Sequence, residues 1–143
     1  MHLILDLDGT ITPHRPTSTA PFERILLPGV QSKINRLHAE GWQIGIATNQ
    51  GGARLSRKGG RLPYGVVLAQ IRWIRSVLPV SPVRWATTAE RKKPSPVMLL
   101  EIAREWQVEP SGILFVGDAQ TDKQAAENGG LKFKWADQFF NGG

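Results

Sequence analysis

The residues of this chain that could do chemistry fall in four short groups. The first is Asp6-Leu7-Asp8-Gly9-Thr10, two carboxylates two positions apart and then a glycine. Carboxylates this close repel and raise each other's pKa unless something offsets the charge. A divalent cation, a shared proton, or both would do so. The second group is Thr48-Asn49-Gln50-Gly51, the third Lys92-Lys93-Pro94, and the fourth Gly117-Asp118 with Asp122 four positions on. Taken singly, each has an ordinary explanation. An Asp-x-Asp pair is often a turn, Thr48 can end a strand, the lysines can be a solvated charge run, and Asp118 can cap a helix.

The elements around these groups give them a common address. The apolar run Leu3 to Leu5 reads as a buried strand over 2–7 that delivers Asp6 at its carboxyl end. A long loop over 9–28, rich in Thr, Pro and Ser, leads to a helix over 29–40 with Val30, Ile34 and Leu37 on one face. The second strand, Trp42 to Ala47, ends in Thr48-Asn49. A basic loop from Ala53 to Pro63 follows, then a helix over 65–78 with Val67, Ile71, Ile74 and Leu78 facing inward. A short strand at 82–87, a polar loop to Lys93 and a helix over 95–106 come next, with proline tolerated in the helix's first turn. A fourth strand at 113–116 ends in Gly117-Asp118, and a helix over 121–128 stops at Gly129-Gly130. The fifth strand spans 131–135, and Phe139 and Phe140 in the tail pack back on the core. Alternating strands and helices predict an α/β fold, a three-layer, doubly wound parallel sheet of about five strands, in one domain over 1–143. All four polar groups then gather on the sheet edge where open α/β sheets place their ligands.

Composition sets the outer bounds. With no cysteine there is no disulfide, thiolate nucleophile or cysteine zinc site, which fits a reducing, cytoplasmic setting. No apolar run approaches the ~20 residues of a membrane-spanning helix, and the N-terminus lacks the pattern of a signal peptide. The net charge of +6 is unevenly placed. Between Glu40 and Glu90 lie Arg54, Arg57, Lys58, Arg61, Arg72, Arg75 and Arg84 and no acidic residue, so this segment carries +7 and the remainder −1. Such an excess suits a polyanionic partner or is a solubility charge. His14 and His38 are expected at the surface, and the five tryptophans in core and edge packing.

In order and spacing the four groups resemble the four motifs of the haloacid dehalogenase superfamily, over nearly the whole chain. The resemblance implies a Mg²⁺-dependent phosphomonoesterase. Asp6 would be the nucleophile, forming an aspartyl-phosphate. Asp8 would protonate the leaving oxygen and then activate water. Thr48 would hydrogen-bond the phosphoryl oxygens together with backbone N–H groups of the Asn49, Gln50 and Gly51 turn. Lys93, favoured over Lys92 by its proline, would balance charge. The metal would be held by Asp6, Asp118 and the Asp8 carbonyl, with Asp122 among these ligands or just behind them. Phosphoryl transfer needs an in-line nucleophile and cationic clamps, so chemistry and resemblance agree.

No inserted cap domain separates the motifs, which implies an open site. The Thr-Asn-Gln-Gly and Lys-Pro-x-Pro patterns resemble a subclass that includes histidinol-phosphate and heptose-bisphosphate phosphatases and polynucleotide 3′-phosphatases. The first two commonly carry a zinc loop before the Lys-Pro motif, where this chain has Arg84 to Arg91 and no cysteine. With Arg54, Arg57, Lys58 and Arg61 beside the second motif, the expected substrate is a DNA or RNA end bearing a 3′-phosphate. A small-metabolite phosphatase is the alternative. There is no kinase phosphate loop. A phospho-receiver domain would order its acidic, Thr and Lys residues differently. A non-catalytic phosphate-binding module would be expected to lack Asp6 or Asp8.

Overall fold

The computed structural model describes residues 1–14, 23–50 and 61–142, with only the backbone described for 61–64. Five strands form one sheet in the order β3-β2-β1-β4-β5: β1 (His2–Leu5), β2 (Gln43–Asn49), β3 (Val83–Ala86), β4 (Ile113–Gly117) and β5 (Lys132–Trp135). Every pairing is parallel. Among the described residues the α-helices are α1 (Val30–Ala39), α2 (Arg61–Val77), α3 (Val97–Trp106), α4 (Gln120–Gly129) and α5 (Ala136–Asn141). No helix of the described residues is long and apolar enough to cross a membrane.

The period-2 alternation of the strands sends side chains to two separate cores. Leu3 and Leu5 of β1, Ile44 and Ile46 of β2 and Val116 of β4 pack with Val30 and Ile34 of α1, Val67, Ile71 and Ile74 of α2, and Phe139 of α5. Ile4, Ala47 and Phe115 point the other way, onto Met98, Leu99 and Ile102 of α3 and Ala125 and Ala126 of α4. The expected three-layer architecture is present. The tail aromatics do pack on the core, carried by the short helix α5 rather than by irregular chain. Lys33 fastens that helix, donating to the Phe139 carbonyl with its ammonium 4.0 Å from the Phe139 ring centroid.

Most boundaries move by a residue or two, and three of the changes bear on the site. β2 runs two residues further, because Thr48 and Asn49 stay in the ladder against Trp85 and Ala86 of β3. α2 begins at Arg61 rather than 65, with Pro63 in its first turn, where the missing N–H is no loss. Arg61 is therefore the first residue of a helix and not part of a loop. β1 ends at Leu5, although the Asp6 N–H still donates to the Val116 carbonyl at 2.9 Å and keeps Asp6 at the strand end.

Chain order along the sheet reverses beside β1. Residues 1–86 build the β1-β2-β3 half, and the chain then crosses to β4 and β5 on the other side. A crevice at the carboxyl ends of the strands is expected at such a switch point. β1 and β4 flank it and end in Asp6 and Asp118.

Candidate active site

The turn after β1 is built on one carbonyl. Leu7 accepts the N–H groups of Thr10, Ile11 and Thr12 at 3.0–3.2 Å, while Gly9 N–H donates to the Thr12 carbonyl at 2.8 Å. Leu7 and Ile11 are buried and pin the turn to the core. Gly9 has φ +85°, in the left-handed region, and a Cβ there would lie 2.2 Å from Asp118 Oδ2. Glycine is thus required twice, for the bend and for the approach of the carboxylate from β4. We expect Gly9→Ala to cost roughly 1–2 kcal/mol of backbone strain and to displace Asp118. Its kcat/KM with metal should fall well below wild type while circular dichroism still reports the fold.

Asp6 is buried and faces a buried lysine. Lys93 Nζ donates to Asp6 Oδ1 at 2.7 Å and to the Ala47 carbonyl at 3.0 Å, and pairs with Asp122 Oδ1 at 2.6 Å. Burial alone would lower the lysine's pKa, but the carboxylates of Asp6 and Asp122 outweigh it and hold it raised, so the ammonium stays charged. Burial raises the Asp6 pKa against the pull of Lys93, and Asp118 adds to the rise. Of the two neighbouring lysines, Lys93 is the one in contact with Asp6. Lys92 is half-buried, with its backbone N–H tied to the Thr88 carbonyl at 2.9 Å.

Asn49 and Gln50 are engaged in ways the sequence did not suggest. The Asn49 amide clamps the backbone of Lys93, accepting its N–H at 2.9 Å and donating to its carbonyl at 3.2 Å. The Gln50 N–H, expected to point at a phosphoryl group, donates instead to the Ala86 carbonyl at 2.8 Å. The fully buried Gln50 amide donates to Thr48 Oγ1 at 2.9 Å and to Asp8 Oδ2 at 3.3 Å. Both residues shape the site from behind. Thr48, itself buried, stays close to it.

Asp122 was expected among the metal ligands. Its Oδ1 pairs with Lys93, and its Oδ2 accepts the N–H groups of Asp118 and Ala119 at 3.2 and 3.0 Å. The carboxylate therefore organises the turn that presents Asp118 and fixes the lysine, with both oxygens engaged. The approach is tight enough that a Cβ on Gly117 would lie 2.4 Å from Asp122 Oδ2.

Hard oxygen donors nonetheless converge. One ligand atom each from Asp6, Asp118 and Asp122 lies within 4.8 Å of the others. Thr10 Oγ1 lies 3.3 Å from Asp6 Oδ2 and 3.4 Å from Asp118 Oδ1, holding these two carboxylates on either side of one hydroxyl. With Lys93 already shared between Asp6 and Asp122, this excess of carboxylate suits Mg²⁺, which takes a few carboxylates and keeps waters and a substrate phosphate.

Gln70 was missed. It is buried on α2, and its Nε2 donates to Asp8 Oδ1 at 3.1 Å. The signal was present, since Gln70 falls within the apolar stripe of Val67, Ile71 and Ile74, and a polar residue buried there needs a partner. Beside the site a cavity of about 310 Å³ is lined by Gly9, Thr10, Pro28, Asp118, Asp137 and Phe140, among others. His14 and His38 are exposed, as expected. Gly51, Arg54, Arg57 and Lys58 lie outside the described residues, as does the Arg61 side chain.

Comparison with known proteins agrees with this geometry. A family of haloacid dehalogenase-like hydrolases matches residues 21–130. The D-glycero-beta-D-manno-heptose-1,7-bisphosphate 7-phosphatase of Bordetella bronchiseptica is 32% identical over 149 residues, covering 98% of this chain and 82% of that protein. The crystal structure of the D,D-heptose 1,7-bisphosphate phosphatase from B. bronchiseptica, complexed with magnesium and phosphate, superposes with a TM-score of 0.74 at 27% identity, covering 92% of this chain and 78% of that one. A phosphoglycolate phosphatase of Cereibacter sphaeroides is 29% identical over 92% of this chain but only 54% of its own length. None of these relatives is described as acting on nucleic acid, so the expected preference for DNA or RNA ends finds no support and the small-metabolite alternative fits better. The chain belongs to the haloacid dehalogenase-like hydrolases and is a phosphoric monoester hydrolase.

Proposed function

We propose that the chain hydrolyses the phosphate monoester of a small phosphorylated sugar through an aspartyl-phosphate on Asp6. The observation that carries the mechanism is the Asp6 carboxylate, buried at the end of β1, with one oxygen on Lys93 and the other beside Thr10. Attack by Asp6 on phosphorus forms the new P–O bond as the ester P–O bond breaks. The leaving oxygen takes its proton from Asp8. Water then gives a proton back to Asp8 and attacks the phosphoryl group, releasing phosphate and restoring Asp6. Lys93 offsets charge on Asp6 throughout, and Thr48 contributes a hydroxyl at the phosphoryl group. Mg²⁺, when held by Asp6 and Asp118, would neutralise charge on the transferring group. Asp122 acts through Lys93 and the Asp118 turn.

The sugar reading rests on the relatives' substrates and on a cavity of about 310 Å³ beside Asp118, near the lower end of the range for small-molecule sites. The missing cysteines do not weigh against it. In this chain the loop before Lys93 is fastened by Arg91, whose guanidinium grips Glu101 of α3 at 2.6 and 2.9 Å, and by the Thr88 carbonyl. These contacts hold the segment that leads into Lys93 without any cysteine.

The test is kcat/KM with Mg²⁺ on a heptose bisphosphate, a hexose phosphate and a 3′-phosphorylated oligonucleotide. The expected order puts a sugar phosphate at least about tenfold ahead, a difference of ~1.4 kcal/mol in transition-state binding. A preference for the oligonucleotide that weakens with salt would reverse the assignment and give the basic residues after the second motif a substrate. Chelation should abolish turnover and added Mg²⁺ restore it.

A further inference from the structure

We infer that Gln70 is a positioning residue for the acid–base carboxylate, a role that rests on the reading of Asp8 given above. Among the described residues, the Asp8 carboxylate is held by two side-chain amides. Gln50 Nε2 reaches Oδ2 at 3.3 Å from the end of β2, and Gln70 Nε2 reaches Oδ1 at 3.1 Å from the middle of α2. Thr12 Oγ1 lies at 3.5 Å from the same Oδ1, a longer contact. The two amides come from different elements and take one carboxylate oxygen each. Together they fix the rotation of the carboxyl plane about its terminal bond, a torsion that is otherwise broad.

The position of Gln70 argues against an incidental contact. It is 1% exposed within the α2 face that packs on the sheet, where an apolar side chain would fill the space without a polar group to satisfy. Orientation matters to a proton donor because transfer needs the acid within hydrogen-bond reach of the leaving oxygen. It does not matter to the nucleophile, which has its own partners in Lys93 and Thr10. Loss of Gln70 should therefore spare attack on phosphorus and impair protonation of the leaving group.

Leaving-group dependence separates these effects. An alkoxide must be protonated as it departs, whereas p-nitrophenolate is stable enough to leave unassisted. The experiment compares kcat/KM of wild type, Gln70→Met and Asp8→Ala on p-nitrophenyl phosphate, phenyl phosphate and a sugar phosphate. Met keeps the length and removes the donor. For Gln70→Met we expect the sugar phosphate to lose about tenfold or more, a fraction of the ~10²–10⁴ that general acid catalysis supplies, while p-nitrophenyl phosphate stays within roughly twofold. An equal loss on all three substrates, or no loss, overturns the inference. Should Gln70→Met not accumulate as folded protein, Gln70→Leu is measured on the same three substrates with the same criteria. Asp8→Ala distinguishes the two levels of the argument. If it fails to steepen the leaving-group dependence, the role of Asp8 falls and that of Gln70 with it. If it does steepen and Gln70→Met does not, only the role of Gln70 falls.

Discussion

Asp6→Asn protein is expected to fold, to bind a phosphorylated substrate and to show no turnover. Asparagine keeps the shape of the side chain and offers Lys93 a carbonyl oxygen, so the ammonium retains that acceptor together with Asp122 at 2.6 Å and the Ala47 carbonyl at 3.0 Å. The substitution also relieves the burial that raises the Asp6 pKa, an offset to the weaker contact with Lys93. Stability should change little. The amide has no oxygen nucleophilic enough to take the phosphoryl group, so the loss in kcat should be on the order of 10⁴ or more, as for other covalent nucleophiles. Phosphate release under saturating substrate and Mg²⁺ reads the first effect, and thermal unfolding the second. Turnover near wild type would leave the phosphoenzyme mechanism without its nucleophile.

Lys93→Met should be worse for the protein as a whole. The ammonium lies within 2.7 Å of two carboxylates, one just after β1 and one from α4, and all three groups are buried. Removing it leaves Asp6 and Asp122 facing each other with no intervening cation. Breaking a buried pair in this way typically costs ~3–5 kcal/mol. For a chain of 143 residues that is a fall in Tm on the order of 10 °C or more. Activity should fall by a further factor of about 10² or more at matched folded protein, because the charge on the transferring group loses its fixed counter-ion. Calorimetry and kcat/KM on the same preparation check both. A variant with wild-type Tm would mean that the two carboxylates are not coupled through the lysine.

Much of this was legible in the sequence, for a physical reason. Parallel strands buried on both faces are written as short apolar runs, so Leu3 to Leu5 and Ile113 to Val116 could be read directly. Catalytic groups follow such runs because the sheet edge is where backbone ends leave room for ligands. The boundaries were less legible. Pro63 closes the expected loop yet sits inside the first turn of α2, and Thr48 follows the expected strand yet lies within the ladder. Cross-chain partners were the least legible. Nothing local marks Asn49 as a clamp on Lys93, 44 positions away, or Asp122 as its second counter-ion. The basic segment is a poor guide to the substrate, because charge along a sequence says that a polyanion is tolerated, not which one is bound.

The division of the core between the two faces of the sheet has a consequence for how such an enzyme can diversify. The Asp8 carboxylate is supported by Gln70 of α2, which belongs to the layer containing Val67 and Ile71. Asp6 is supported by Lys93, four residues ahead of α3, and by Asp122 of α4, the two helices whose Met98 and Ala125 pack on the opposite layer. On the proposed mechanism, drift in α2 would alter protonation of the departing alcohol without disturbing how phosphorus is attacked. One layer can be inherited unchanged while the other is rewritten, which is the arrangement a lineage needs to acquire new substrates and keep one reaction.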